Sequence, residues 1–388
     1  MITIAKNEHF KDKSPDWTAT QQMFTGKGVK AQLQQGYFEP DSHFHKRASQ
    51  ADFQPVTRDI ISRLVGQLFE RRDEIERELG PLSEADLERI GPKGESWTVL
   101  MMQVAENLLA YNSCVLVLRP EIPSIYVETP LVMPRWTATE AVITSERSMT
   151  DSVFQDEELQ DTWTRYFPEG WGVYVQEDGK DVPIEEGFWR DEQSFFVDRD
   201  GLRVPPVIRA EMPWSSCFGH LVAQAHAAIY RMESTLDFAS AGSLHGLVQL
   251  GVGSDSELAS EISDALENGQ RFIPYDRDKG EHKPLAVPTA GLEMTAQLIE
   301  KKRENLYETS YQSLTQIARS ATEAAIDHQS GPAAALSVLG ETMASIEART
   351  LSLLAQATDM ETFAGPAPTD TGISVSYPSD FSTVSLEE

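Results

Sequence analysis

The sequence is short of basic residues, almost free of cysteine, and without a long apolar run. Thirty-three Lys and Arg face 61 Asp and Glu, a formal net charge of −28 at pH 7. Such a surface repels nucleic acid and anionic lipid, which argues against the DNA-binding and membrane-surface classes. No stretch approaches the roughly 18 apolar residues of a membrane span. The opening run MITIAKNEHFKDKSPDW has no apolar heart of a signal peptide. The 2 cysteines, Cys114 and Cys217, lie far apart among apolar or small residues and read as reduced thiols. Together these features lead us to expect a soluble chain made in a reducing cytoplasm.

Catalytic signatures are also missing. There is no H-E-x-x-H, C-x-x-C, G-x-S-x-G or Walker A loop. GVGSD (Gly251 to Asp255) lacks the third glycine of a dinucleotide loop and reads as a turn after a strand. HFH (His43 to His45) offers two metal ligands from a strand but has no further partner nearby. His220 and His226 do not share a helix face. DRDKG (Asp276 to Gly280) lacks the closing Glu of a calcium loop and reads as a hairpin turn. Residues 151–200 hold 15 acids against 4 bases, a solvated face rather than a defined carboxylate pair. We therefore expect no enzyme, no metal and no cofactor.

What is present is architecture, and 388 residues allow two or three domains. Residues 1–55 are polar with scattered aromatics and read as an extended arm with short helices. A helix begins after Pro55, with Ile60, Ile61, Leu64, Val65, Leu68 and Phe69 at helical spacing. It is expected to run through ERRDEIERELG to a cap at Gly80. Ser83 to Asp86 has the spacing of a capping box. A third helix starts near Ser96. From 112 to 212, short β-rich runs (SCVLVLR, SIYVE, AVITSE, TRYF, WGVYVQ, SFFVDR) alternate with turn signals, which predicts an antiparallel region. A long helix follows, with Val222, Ala225, Ile229, Met232 and Leu236 as a narrow seam. Residues 242–290 read as a small α/β module of strand, helix and strand. A second long helix covers about 292–318 and carries EKKREN, a short basic band at Lys301, Lys302 and Arg303. A third covers about 333–358. Between them, TQIARSATEAAIDHQSGPAAALS mixes strong helix formers with breakers at Ser330, Gly331 and Pro332.

The order of these segments resembles the portal proteins of tailed bacteriophages, over roughly residues 20 to 383. KRASQADFQPVTRDIISRLVGQLFE is similar to a family pattern in which Arg47, Ala51, Phe53, Gly66 and Phe69 take the marked places. LMMQVAENLLAYNSCVLVLRPE resembles the helix-then-strand unit that opens the family's β-rich part. In MPWSSCFGHLVAQAHAAIYRMESTLDFASAGSLHGLVQLG, Tyr230 and Ser234 stand at the family's Tyr and Ser. SATEAAIDHQS and SYPSDF resemble later family segments. The chain departs from the family in showing no long helical crown.

The resemblance implies an α+β fold with named parts. These are an N-terminal arm (1–55), a helical and β-rich wing (56–218), a first stem helix (219–241), a clip (242–290), a second stem helix (291–318), a tunnel loop (319–334), and a long wing helix with a short C-terminal region (335–388). It implies a ring of probably twelve copies at one capsid vertex of a virion, assembled in the host cytoplasm. Double-stranded DNA would pass through without sequence specificity, during packaging and ejection. Partners would be the terminase large subunit, a head–tail adaptor, and the major capsid and scaffold proteins; a membrane would not be one. The tunnel loop would contain Arg319, Ser320, Thr322, Glu323, Asp327, His328, Gln329 and Ser330. Lys301, Lys302 and Arg303 would touch DNA in the bore or pair with neighbouring acids. The alternatives are another head–tail adaptor or tail-tube component and, for the opening segment, an ordinary helix–helix connection.

Overall fold

The structure, a computed structural model, describes residues 6–37, 39–119, 124–148, 159–177, 180–189, 194–244, 248–252, 272–276, 289–321, 332–360, 372–378 and 381. The helices there are α1 (Glu8–Thr25), α2 (Asp41–Gln50), α3 (Val56–Glu70), α4 (Glu84–Leu87), α5 (Trp97–Tyr111), α6 (Phe218–Leu244), α7 (Thr289–Ala321) and α8 (Pro332–Met360). The strands are β1 (Glu76–Leu79), β2 (Ser113–Arg119), β3 (Ser124–Glu128), β4 (Arg135–Trp136), β5 (Ala141–Ser148), β6 (Leu159–Phe167), β7 (Gly170–Glu177), β8 (Lys180–Phe188), β9 (Val207–Glu211), β10 (Val248–Val252), β11 (Phe272–Asp276) and β12 (Ile373–Ser376). The fold is α+β. It divides into two compact units: residues 1–20, 59–220 and 311–388 form the first, and residues 21–58 and 221–310 the second.

Two antiparallel sheets organise the first unit, one of order β3-β2-β9 and one of order β4-β5-β6-β7-β8. Alternating side chains from both, among them Val115, Val117, Ile143, Tyr166 and Val207, share one core with Met133. The SFFVDR run, expected as a strand, contributes only a single bridge, Val197 to Arg203. Helix α8 is buried nearly all round, through Ala334, Leu339, Met343, Leu351 and Leu354. A helix apolar on every side belongs inside a core, and each buried leucine contributes about 1.5–3 kcal/mol. Pro332 does not break this helix. It is its first residue, where the missing N–H would have no helical partner anyway.

Long-range pairing overrides local propensity at Glu76–Leu79. The charged run EIEREL favours helix, yet α3 ends at Glu70 and β1 pairs antiparallel with β12, Glu76 opposite Ser376. The cap expected at Gly80 is therefore a turn after a strand. The capping box does form, with Ser83 N donating to Asp86 Oδ2 at 2.8 Å. That bonding holds the Asp86 carboxyl below its ordinary pKa.

The N-terminal segment is not an extended arm. Glu8–Thr25 is helical because Phe10, Trp17 and Met23 are buried. Trp17 Nε1 donates to the Tyr111 carbonyl at 2.9 Å, and this bond together with the burial of Phe10, Trp17 and Met23 offsets the cost of Pro15 inside the helix. In the second unit β10 and β11 pair in parallel. A parallel pair needs a long crossover between its strands. The helix expected between them, and most of the DRDKG turn, lie outside the described residues.

Candidate functional site

The first long helix, α6, is braced in the second unit by side chains from the segment between α1 and α3. Arg47 is 4% exposed. Its Nε and Nη2 each donate to Glu39 at 2.8 Å, Nη2 also reaches the Gln34 carbonyl, and Nη1 donates to Ser234 Oγ at 2.9 Å. Three nitrogens of arginine's planar fork thus donate, to a carboxylate, a carbonyl and a hydroxyl. The fork lowers the pKa of Glu39 and raises that of Arg47. One turn earlier on α6, Phe53 packs edge-on against Tyr230 with centroids 5.7 Å apart. Gly26 makes this possible: its φ is +75°, and a Cβ there would lie 2.9 Å from the Phe53 ring. Phe53 also lies 5.4 Å from His226, whose Nδ1 is 2.9 Å from Thr57 Oγ1. Burial pulls the His226 pKa down to about 4, and the Arg303 charge acts in the same direction.

The seam read from the sequence lies one position off the buried face. Val222 and Ile229 are buried, Met232 and Leu236 are half-buried, and Ala225 is exposed. The helix also buries Ala223, His226, Ala227, Tyr230 and Ser234. Sequence reasoning left His226 and Ser234 outside because they are polar. Thr57 and Arg47 supply the partners that make their burial tolerable.

No family model matches this chain. No curated protein matches it either. Among solved structures, it is similar to a chain in the virion of a native gene transfer agent particle, at 11% identity and TM-score 0.34, over 94% of this chain and 84% of that one. It is also similar to a chain in the neck of an empty particle computed with C6 symmetry, at 13% identity and TM-score 0.33, over 90% and 88%. A third similar chain is in the neck of a native particle computed with C12 symmetry, at 12% identity and TM-score 0.33, over 94% and 84%.

The remaining sequence-derived candidates separate in the structure. Arg303 is an ion-pair residue: Nε lies 2.8 Å and Nη2 2.6 Å from Glu233 Oε1 on α6, and Nη1 lies 3.8 Å from Glu300. It ties α7 to α6. Lys301 and Lys302 are exposed and carry no ion pair among the described residues. Arg319 and Ser320 fall in the last turn of α7. Thr322, Glu323, Asp327, His328, Gln329 and Ser330 lie outside the described residues. His43 and His45 sit on helix α2, not on a strand. Two positions apart on a helix they diverge, so they cannot share a metal. No His, Cys, Asp and Glu cluster among the described residues could hold a metal. Burial lifts the pKa of Cys114 to about 12 and that of Cys217 to about 11.

The sequence reading missed a buried carboxylate in the first unit. Glu347 on α8 is 0% exposed. Its Oε1 accepts from Trp97 Nε1 at 2.6 Å and from Arg77 Nε, and its Oε2 accepts from Tyr377 Oη at 2.6 Å. It thereby joins α8, α5, β1 and the residue after β12. The available signal was an acid four positions from Met343 on an otherwise apolar helix face.

Proposed function

We propose that this chain is the subunit of a portal ring, a non-enzymatic structural protein at a unique capsid vertex. The observation that carries the reading is a convergence. Arg47 and Phe53 come from one segment that resembles the family, Tyr230 and Ser234 from another, and they meet pairwise on α6. Two helices of 27 and 33 residues flank the parallel β10–β11 pair, as stem helices would flank a clip. At 1.5 Å per residue they are about 40 and 50 Å long, enough to wall a channel.

In this reading, double-stranded DNA passes through the bore without sequence readout. The acidic chain keeps phosphates from adhering, because each phosphate neutralised by Lys or Arg adds salt-dependent grip. Exposed Lys301 and Lys302 make brief contacts. The segment between α7 and α8, residues 322–331, forms the tunnel loop, and the translocation energy comes from a motor, the terminase large subunit. Residues 242–290 dock that motor and later a head–tail adaptor. Capsid and scaffold proteins contact the wing.

Native mass spectrometry with negative-stain imaging of the purified chain tests the proposal. A closed ring of about twelve copies with a central hole is expected. A chain that stays monomeric at high concentration, and also in the presence of its capsid and scaffold proteins, would overturn it.

A further inference from the structure

A surface turn of the second unit, from Gly36 to Glu39, is fixed from both ends. Glu39 N donates to the Gly36 carbonyl at 2.9 Å, and Gly36 N donates to Glu39 Oε2 at 2.9 Å. Gln35 Nε2 donates to the Glu39 carbonyl at 2.7 Å and to Asp41 Oδ1 at 2.8 Å. The Glu39 carboxylate is gripped in turn by the buried Arg47, which also holds the Gln34 carbonyl at the entrance to the turn. A buried guanidinium therefore keeps a piece of exposed backbone rigid.

That turn carries Tyr37. Turns favour Gly, Pro, Asn, Asp and Ser. Tyr37 is 94% exposed, more than any other large apolar or aromatic side chain among the described residues; Met294 follows at 72%. An aromatic ring held in water on a rigid turn breaks the turn preference and the burial preference together, and such breaks mark functional positions. Tyrosine is an anchor of protein interfaces, with a large apolar ring and a polar tip. A turn ordered in advance loses little freedom when its tip is captured.

The first unit has a cavity that suits such a tip. It encloses about 290 Å³ beside the half-buried Trp136, with Met133, Ala141, Val204 and Val207 as apolar walls. Its charges are balanced: Arg209 pairs with Glu211, and the Asp198 charge faces Arg349. A balanced rim gives a charged side chain no net attraction. A neutral ring fits the walls, and its hydroxyl meets the polar rim. Two other cavities of this unit are lined mainly by charged and hydroxyl side chains.

We propose that Tyr37 of one copy of this chain inserts into the Trp136 cavity of the neighbouring copy. This rests on the ring reading. The knob and the socket are different patches on different units, so the contact runs head to tail, the kind of contact that closes into a ring.

The test compares the full chain with Y37A, A138W and the control L202A by native mass spectrometry and sedimentation across protein concentrations. Ala138 is exposed and lines the cavity, so a tryptophan there plugs the mouth from outside the core. All three variants are expected to keep the wild-type melting temperature. Y37A and A138W should each need at least about tenfold more protein to assemble. L202A trims another exposed apolar side chain and should behave as wild type. The combined variant should be no worse than either single one, because both remove the same contact. A mixture of Y37C and A138C chains treated with a bismaleimide should yield linked pairs that neither chain yields alone. Full assembly of Y37A at wild-type concentration would overturn the proposal and leave the ring reading standing. So would normal assembly of A138W beside an impaired Y37A, which would place the tyrosine on a different surface. Failure of the wild-type chain itself to associate would overturn both.

Discussion

Arg47 Nη1 donates to Ser234 Oγ at 2.9 Å across 187 positions of sequence, and both residues are buried. One hydrogen bond thus ties the segment preceding α3 to the first long helix. Arg47→Met should cost about 3–5 kcal/mol, because it leaves Glu39 facing a buried, apolar neighbour. Ser234→Ala should cost about 1–2 kcal/mol, one hydrogen bond to a charged group. Chemical denaturation followed by tryptophan fluorescence and circular dichroism measures both, and equal losses would refute this ranking.

His226 gives the second unit an acid sensitivity. Its pKa falls from 6.5 unfolded to about 4 folded, so the folded state favours the neutral ring. The stability this contributes is full above pH 6.5, is lost as pH falls toward 4, and amounts to about 3 kcal/mol at most. Melting curves from pH 7.5 to 4 should show the decline. His226→Gln should flatten it, and an unchanged slope would count against the assignment.

Glu347 holds the C-terminal strand. Glu347→Gln should destabilise the first unit by about 2–4 kcal/mol, since Arg77 loses its counter-charge. Hydrogen exchange at Ile373–Ser376 should accelerate before exchange in α5 does. Uniform acceleration across the unit would mean that the carboxylate does not specifically anchor β12.

Gly219 sits where α6 begins against the end of α5. A Cβ there would overlap the backbone of Ala110. Gly219→Ala should therefore cost about 3 kcal/mol or more, through overpacking against backbone that cannot yield. Gly66, whose Cβ would meet nothing within 4 Å, should accept Ala with no loss of stability.

If the chain forms the proposed portal ring, removing residues 322–331 should leave the ring mass per subunit reduced only by the deletion, while packaged DNA per particle falls. Particles filled to the wild-type level would remove the tunnel-loop role from this segment.

Periodicity made the long helices legible. Leu336, Leu339, Met343, Ile346 and Leu353, spaced for one helix face, are all buried on α8. The β-rich stretch was equally legible from alternation and turn residues, and so was the Ser83 capping box. Three features were not. The strand at Glu76–Leu79 exists only because Ile373–Ser376 pairs with it. The helix at Glu8–Thr25 depends on Trp17 finding the Tyr111 carbonyl. The buried face of α6 depends on partners for two polar side chains.

The sequence by itself determined the acidic balance, the long helices and the antiparallel region, because these follow from composition and from local period. Tertiary structure alone decided which polar groups are buried. Arg47 pairs nearby with Glu39 and at a distance with Ser234, while His226 and Glu347 are tolerated inside because Thr57, Arg77, Trp97 and Tyr377 arrive from distant positions. Desolvation charges each of these groups a penalty that no local pattern can cancel, and only a partner brought in by the fold removes it.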